Sequence, residues 1–235
     1  MEWGCNRKII LYKNATSPYG HRALMALKMA NVDYELVIID MNDREWYRKE
    51  IYPEGKVPAL KYGQEVIPES MVIMELIHNL YPEAKLFPAN DPVKKAKMKL
   101  FVYLRTTYYL QIVNYSIIQL PRNHLIYMLR QSLTFIDAYL NGFLLEQSST
   151  GPYFLGCEYS AVDIAIAPFV FQIRAFVKLL TDNDYRVLNE LPRLREYFDT
   201  ILDHPICKET GSLDEKRFMQ VAVERFKVTA NMFVD

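Results

Sequence analysis

Strand-like patterning stops near residue 88 of this 235-residue chain and does not return. Before that point, short apolar runs alternate with helical periodicity. "KIILY" (8–12) reads as a buried strand, closed by the turn-rich Lys-Asn-Ala-Thr-Ser-Pro. From Pro18, Leu24, Leu27, Met29 and Val32 recur at helical spacing until "NVD" ends the run. "YELVIID" (34–40) is a second strand, so the opening is a βαβ unit with a parallel crossover. "DREWYRKEIYPEG" predicts a short irregular helix, stopped by Pro53 and Gly55. "KVPALKYGQEVIPES" predicts a hairpin turning at Tyr-Gly. "SMVIMELIHNLYP" predicts a helix with Ile73, Met74, Ile77 and Leu80 on one side. Beyond "KLFPANDPVKKAK" the periodicity is helical over 93–119, 122–146, 160–180 and 191–203. We therefore expect an α/β domain at 7–88, a linker at 89–94 and an all-α domain at 95–235.

Composition narrows the function. Lysine plus arginine equals aspartate plus glutamate, 28 against 28, so no basic excess exists to drive nucleic-acid binding. No run reaches the roughly 18 apolar residues of a membrane helix, and the polar start MEWGCNRK has no signal core. The expectation is a cytoplasmic protein without a membrane or nucleic-acid partner. Cys5, Cys157 and Cys207 are an odd, widely spaced set, with neither a CxxC nor a zinc-like Cys/His cluster. We expect unpaired thiols and no metal.

Three short motifs make the pattern specific. In "KVPAL", a proline at the start of a hairpin strand cannot donate to a ladder. It fits if Val57–Pro58 is cis and the Val57 backbone turns toward a ligand. "PES" (68–70) opens a helix, whose free N–H groups and positive dipole end suit a carboxylate, with the Ser70 hydroxyl beside them. "SAVD" (160–163) is a capping-box pattern with Asp for Glu, structural by its position. A fourth stretch, "SPYGHRALMAL", opens the first helix. Ser17 there suits an N-cap, and a cap and a ligand contact are compatible. Arg22 reads as a helix-face charge or salt bridge, His21 as a surface histidine, and Lys94, Lys95, Lys97 and Lys99 as a solvated face.

"EGKVPAL…IPES..I.ELI" and "YSAVDIAIAPFV" resemble the cytosolic glutathione transferase family over nearly the whole chain. "SPYGHRALMALKMANV" and "EWYRKEIYPEGKVP" are most similar to its omega and dehydroascorbate-reductase branches, where the pattern is Cys-Pro-Phe-x-x-Arg. The resemblance implies a thioredoxin-like N-terminal domain plus an all-α C-terminal domain, and glutathione as co-substrate. It implies Lys56 near the glycine end of glutathione, and Val57 pairing its backbone with the cysteinyl residue. Glu69 would meet the γ-glutamyl ammonium and Ser70 its carboxylate. Ser17 would face the sulfur, with Tyr19 flanking it. Tyr103, Tyr108 and Tyr109 would wall the pocket of a small-molecule electrophile. A homodimer is a common family state.

The departure is Ser17, where those branches keep cysteine. A serine cannot form a mixed disulfide, so it points to thiolate stabilisation, as in the isomerase branch. Two functions follow: a transferase acting on a hydrophobic electrophile, or a binding or regulatory protein that keeps the fold without turnover. "EWYRKEIYPEGK" is one residue longer than the omega pattern, leaving open whether Asp43 or Arg44 faces the glycine end.

Overall fold

Four strands form one sheet in the order β2-β1-β3-β4 in a computed structural model of the chain. The structure describes residues 7–117, 151–180 and 189–210 and a set of helical positions between 123 and 138; over 105–117 and most of 173–180 it describes the main chain. The chain divides into two compact units, Met1–Lys97 with Pro205–Ser212, and Met98–His204 with Leu213–Asp235.

In the first unit, β1 (Ile9–Lys13) lies between β2 (Glu35–Ile38), parallel to it, and β3 (Ala59–Tyr62), antiparallel. β4 (Glu65–Pro68) closes the far edge through the hairpin turn at Gly63, which holds φ +64°. Central β1 buries Ile9, Leu11, Tyr12 and Lys13, whereas edge strand β2 leaves Leu36 and Ile38 exposed. Helices α1 (Pro18–Met29), α2 (Glu45–Glu50) and α3 (Ser70–Leu80) complete the βαβ–α–ββα order. Tyr12, Ile39, Tyr47 and Ala59 form one core cluster, tying α2 to the sheet.

α1 corrects the amphipathic picture. Every residue from Gly20 to Leu27 is buried, His21 and Arg22 included, because β1, α3 and a late helix all pack on it. Arg22 is therefore not a helix-face charge, and His21 is not a surface histidine. The late helix, α7 (Pro205–Glu209), belongs to the first unit although it lies far along the chain. Lys95 likewise departs from a solvated face: it pairs with Glu75 of α3 at 2.8 Å and sits over the Phe87 ring.

The second unit is helical: α4 (Pro92–Ile117, which begins in the first unit), α5 (Ala161–Leu180) and α6 (Pro192–Asp203). Its buried anchor is Asp163, fully shielded from solvent. One carboxylate oxygen accepts from Phe154 N–H and Tyr197 O–H, both at 2.9 Å. The other accepts from Ser160 N–H (2.8 Å) and Oγ–H (2.7 Å). Ser160 Oγ in turn accepts from Val162 N–H at 3.3 Å, so the capping box also pins a loop and a neighbouring helix. Burial pushes the Asp163 pKa up, opposed by these bonds.

Asp163→Ala strands four donors in a dry interior, and should lower unfolding free energy by about 3 kcal/mol or more. Urea denaturation of the full chain measures this; a loss below about 1 kcal/mol contradicts the anchor role.

Candidate functional site

The site residues of the first unit gather at three backbone features. The first is the turn from β1 into α1. Asn14 fixes it, with Oδ1 accepting from Thr16 N–H and Oγ–H (3.0 Å each) and Nδ2 donating to Ile39 O at 3.1 Å. Ser17 is the N-cap of α1; its Oγ accepts from Gly20 N–H at 3.2 Å, and Pro18 follows in the first turn. The hydroxyl proton of Ser17 has no acceptor among the described residues. The cap thus uses only the oxygen of this hydroxyl. Tyr19 is half-buried, and burial raises its phenol pKa. The Arg22 guanidinium lies over its ring, 5.2 Å from the centroid.

The second feature is the entry to β3. Val57–Pro58 is cis, and Pro58 is buried. Neither N–H nor C=O of Val57 is engaged among the described residues. The preceding loop is braced from α2: Tyr47 O–H donates to Lys56 O at 2.8 Å, Arg44 Nη1 to Gly55 O at 2.9 Å, and Arg48 Nε to Pro53 O at 3.2 Å. Of the two residues left open by the sequence, Arg44 is the one that holds this loop. Lys56 itself is exposed and pairs with Glu54 at 2.7 Å.

The third feature is the start of α3. Glu69 sits at the N-cap with φ +69°, a left-handed conformation uncommon for a side-chain-bearing residue, and its side chain makes no capping hydrogen bond. Among the described residues the first N–H groups of α3 therefore have no side-chain cap. Ser70 is buried, and its Oγ accepts from Arg22 Nη1 at 3.3 Å. That bond links α1 to α3. Burial lowers the Arg22 pKa to about 10, so it stays a cation at neutral pH.

Tyr103 lies on α4 and is exposed. The side chains of Tyr108 and Tyr109, farther along that helix, lie outside the described residues. Among the described residues Cys157 is exposed and Cys207 buried, both free, and no group of three His, Cys, Asp or Glu is placed to hold a metal. Cys5 lies outside the described residues. No helix of the described residues is long and apolar enough to cross a membrane.

Residues 11–85 match the glutathione S-transferase N-terminal domain family and residues 107–210 the C-terminal domain family. The chain belongs to the glutathione S-transferase family. It is 25% identical over 219 residues to glutathione S-transferase L3 of Arabidopsis thaliana, spanning 92% of this chain and 87% of that one. It is 27% identical over 182 residues to a probable maleylacetoacetate isomerase of Caenorhabditis elegans, 73% of this chain and 81% of that one. The crystal structure of glutathione transferase Omega 2C from Trametes versicolor superposes with a TM-score of 0.74 at 26% identity, covering 94% of this chain and all of that one. Omega and DHAR transferases, the branches its motifs resemble, are both among its relatives.

Three groups were missed by the sequence: Lys13, His21 and Thr210. His21 Nε2 lies 2.7 Å from Thr210 Oγ1, across 189 residues of chain. Thr210 Oγ1 donates its own proton to Ile206 O at 2.7 Å, so the imidazole must donate from Nε2. Nδ1 is then a buried lone pair without a partner. Burial, reinforced by the Lys13 charge, holds the His21 pKa near about 4. Gly20, inside a helical pattern, was the available signal for this crowding.

The folded pKa of His21 lies below its unfolded value, so the histidine contributes full stability at and above about pH 6.5. As pH falls toward 4 the unfolded chain gains a proton that the fold refuses, removing about 3 kcal/mol. Denaturation midpoints at pH 7 and pH 4.5 should show this loss, and His21→Gln should lose less between the same two values. Equal losses in both proteins contradict the assignment.

Proposed function

We propose that this protein is a glutathione transferase that holds the glutathione sulfur as a thiolate at Ser17 for attack on a hydrophobic electrophile. The observation that carries the reading is that three features have matching groups left unused. Among the described residues, Val57 has an unengaged N–H and C=O, the N-cap side chain of α3 makes no capping bond, and Ser17 has an undonated hydroxyl proton. Glutathione supplies a partner for each: a peptide backbone, a carboxylate and a sulfur.

In this reading Val57 pairs with the cysteinyl backbone by strand addition, and Lys56 lies near the glycine carboxylate. The α-carboxylate meets the α3 N–H groups and the Ser70 hydroxyl. Ser70 Oγ already accepts from Arg22, so its own proton is the one available to donate. Glu69 meets the ammonium, and its left-handed backbone sets its carboxylate at the exposed helix entrance. Tyr19 flanks the sulfur.

The energetics favour thiolate. A free thiol near pKa 8.5 is mostly protonated at neutral pH. One hydrogen bond to the charged form contributes about 1.5–3 kcal/mol, which is about one to two pKa units. The N-terminal end of α1 adds in the same direction. The thiolate then forms an S–C bond with the electrophile, its electron pair displacing a leaving group or entering a conjugated acceptor. One relative carries the name of an isomerase, and isomerisation starts from the same thiolate. Tyr103, Tyr108 and Tyr109 of α4 are the residues we assign to the electrophile. Cytoplasmic location and a homodimer belong to this reading. Disulfide exchange at Ser17 does not, since the step needs a sulfur there.

A second reading, glutathione or ligand binding without turnover, draws on the serine standing where omega-like frames keep cysteine. Calorimetry and turnover separate the two. Wild type should bind glutathione, Glu69→Ala should bind at least about tenfold more weakly, and Ser17→Ala should lose about 10- to 100-fold in turnover at pH 7. Binding with no turnover across a panel of electrophiles selects the second reading. No binding by wild type overturns both.

A further inference from the structure

Lys13 ends β1 on the face of the sheet that α1 covers. Its stem runs along the first turn of that helix: a methyl group on Gly20 would stand 2.7 Å from Lys13 Cβ and 3.4 Å from Cε. Only 2% of the residue is exposed. Its ammonium makes no hydrogen bond or ion pair with any described residue, and burial lowers its pKa.

Among the described residues no carboxylate pairs with Lys13. From α1 it faces His21, whose own protonation the Lys13 charge opposes. On α7, Glu209 is engaged by Lys28 at 2.8 Å, and the Cys207 thiol is pushed by burial to about 11, leaving it neutral. Tyr19 on the same turn of α1 has its phenol pKa raised and is neutral as well. A cation at a helix N-terminus also adds to the positive dipole end instead of offsetting it. Removing a lone charge from water is costly, and the cost is recovered only when an opposite charge arrives. Beside the first turn of α1 the Lys13 ammonium and the helix N-terminus are thus both positive, and Arg22 adds a third positive group over the Tyr19 ring; the Glu69 carboxylate is felt at Tyr19, but no anion pairs with Lys13 among the described residues.

We propose that Lys13 is an electrostatic positioning residue that keeps the bound glutathione sulfur in its thiolate form. The inference rests on the glutathione reading above and deepens it. Ser17 donates the local hydrogen bond; Lys13 supplies a charge through space from beneath the same turn. The thiol proton leaves to solvent, the S–H electron pair stays on sulfur, and the ammonium keeps its protons throughout. A filler role, in which the Lys13 stem merely occupies space under Gly20, makes different predictions.

The test compares wild type with Lys13→Met, which keeps the length of the stem, and Lys13→Gln as a second variant. The full chain is saturated with glutathione, and the thiolate absorbance is followed against pH. Loss of the charge should raise the thiol pKa of bound glutathione by about one unit or more. Glutathione affinity at neutral pH should weaken, while S-methylglutathione, which has no ionisable sulfur, binds all three proteins alike. Thermal unfolding should show Lys13→Met at least as stable as wild type, since a lone buried charge has gone. An unchanged thiol pKa in both variants overturns the proposal. So does a parallel loss of S-methylglutathione binding, which marks a packing role. If wild type binds S-methylglutathione but leaves the thiol of glutathione at its free value, the electrostatic inference fails and the binding site stands. If wild type binds neither ligand, the glutathione reading itself falls.

Discussion

The seating of α1 on β1 governs the first unit. At Gly20 the helix lies so close to the strand that any side chain would meet the Lys13 stem at 2.7 Å, well inside ordinary contact. That approach fixes where the N-terminus of α1 points, and Ser17 caps that end. The following residues extend the constraint. His21 reaches Thr210 on the segment after α7, and Arg22 reaches Ser70 at the head of α3. Three successive positions of one helical turn thus bind it to a strand, to a distant segment of chain and to a second helix.

Arg22 joins α1 to the head of α3, lying over the Tyr19 ring and donating to Ser70. Ser17 and Ser70 each use the oxygen of the hydroxyl as an acceptor within the protein, from Gly20 N–H and from Arg22. Each keeps a proton for something else. Val57, braced by Tyr47 through the carbonyl of Lys56, presents its peptide groups between the edges of this arrangement in sequence. An anionic peptide-like ligand is complementary to such a set, and the second unit secures its own fold separately through Asp163. Its buried carboxylate joins residues 154, 160 and 197.

Much of this was legible in the residues, for physical reasons. Apolar runs, prolines and the Tyr-Gly turn marked the strands and helix ends. Proline in "KVPAL" announced an irregular backbone because it cannot enter a ladder. "SAVD" announced a cap because Ser and Asp three apart can satisfy each other's backbone. What stayed hidden is the fate of charged side chains. Lys13, His21 and Arg22 stand in a stretch where sequence reasoning places polar groups outside. Lys13 is covered by α1 at Gly20, the burial of His21 and Arg22 involves the later elements packed on α1, and Thr210 lies 189 residues beyond His21. Tyr197, the partner of Asp163, is 34 residues beyond it. No local pattern encodes such pairs. Leu36 and Ile38 are apolar yet exposed, because β2 is an edge strand, while Val37 between them packs on the core cluster.

The account stands on the claim that Val57, the head of α3 and the head of α1 receive one ligand. Amide resonances of the full chain, followed by NMR as glutathione is added, test it most directly. The account predicts saturable shifts at Val57, Ser70, Met71 and Gly20 that share one dissociation constant. Shifts confined to other parts of the first unit, or different constants at Val57 and Ser70, would contradict it.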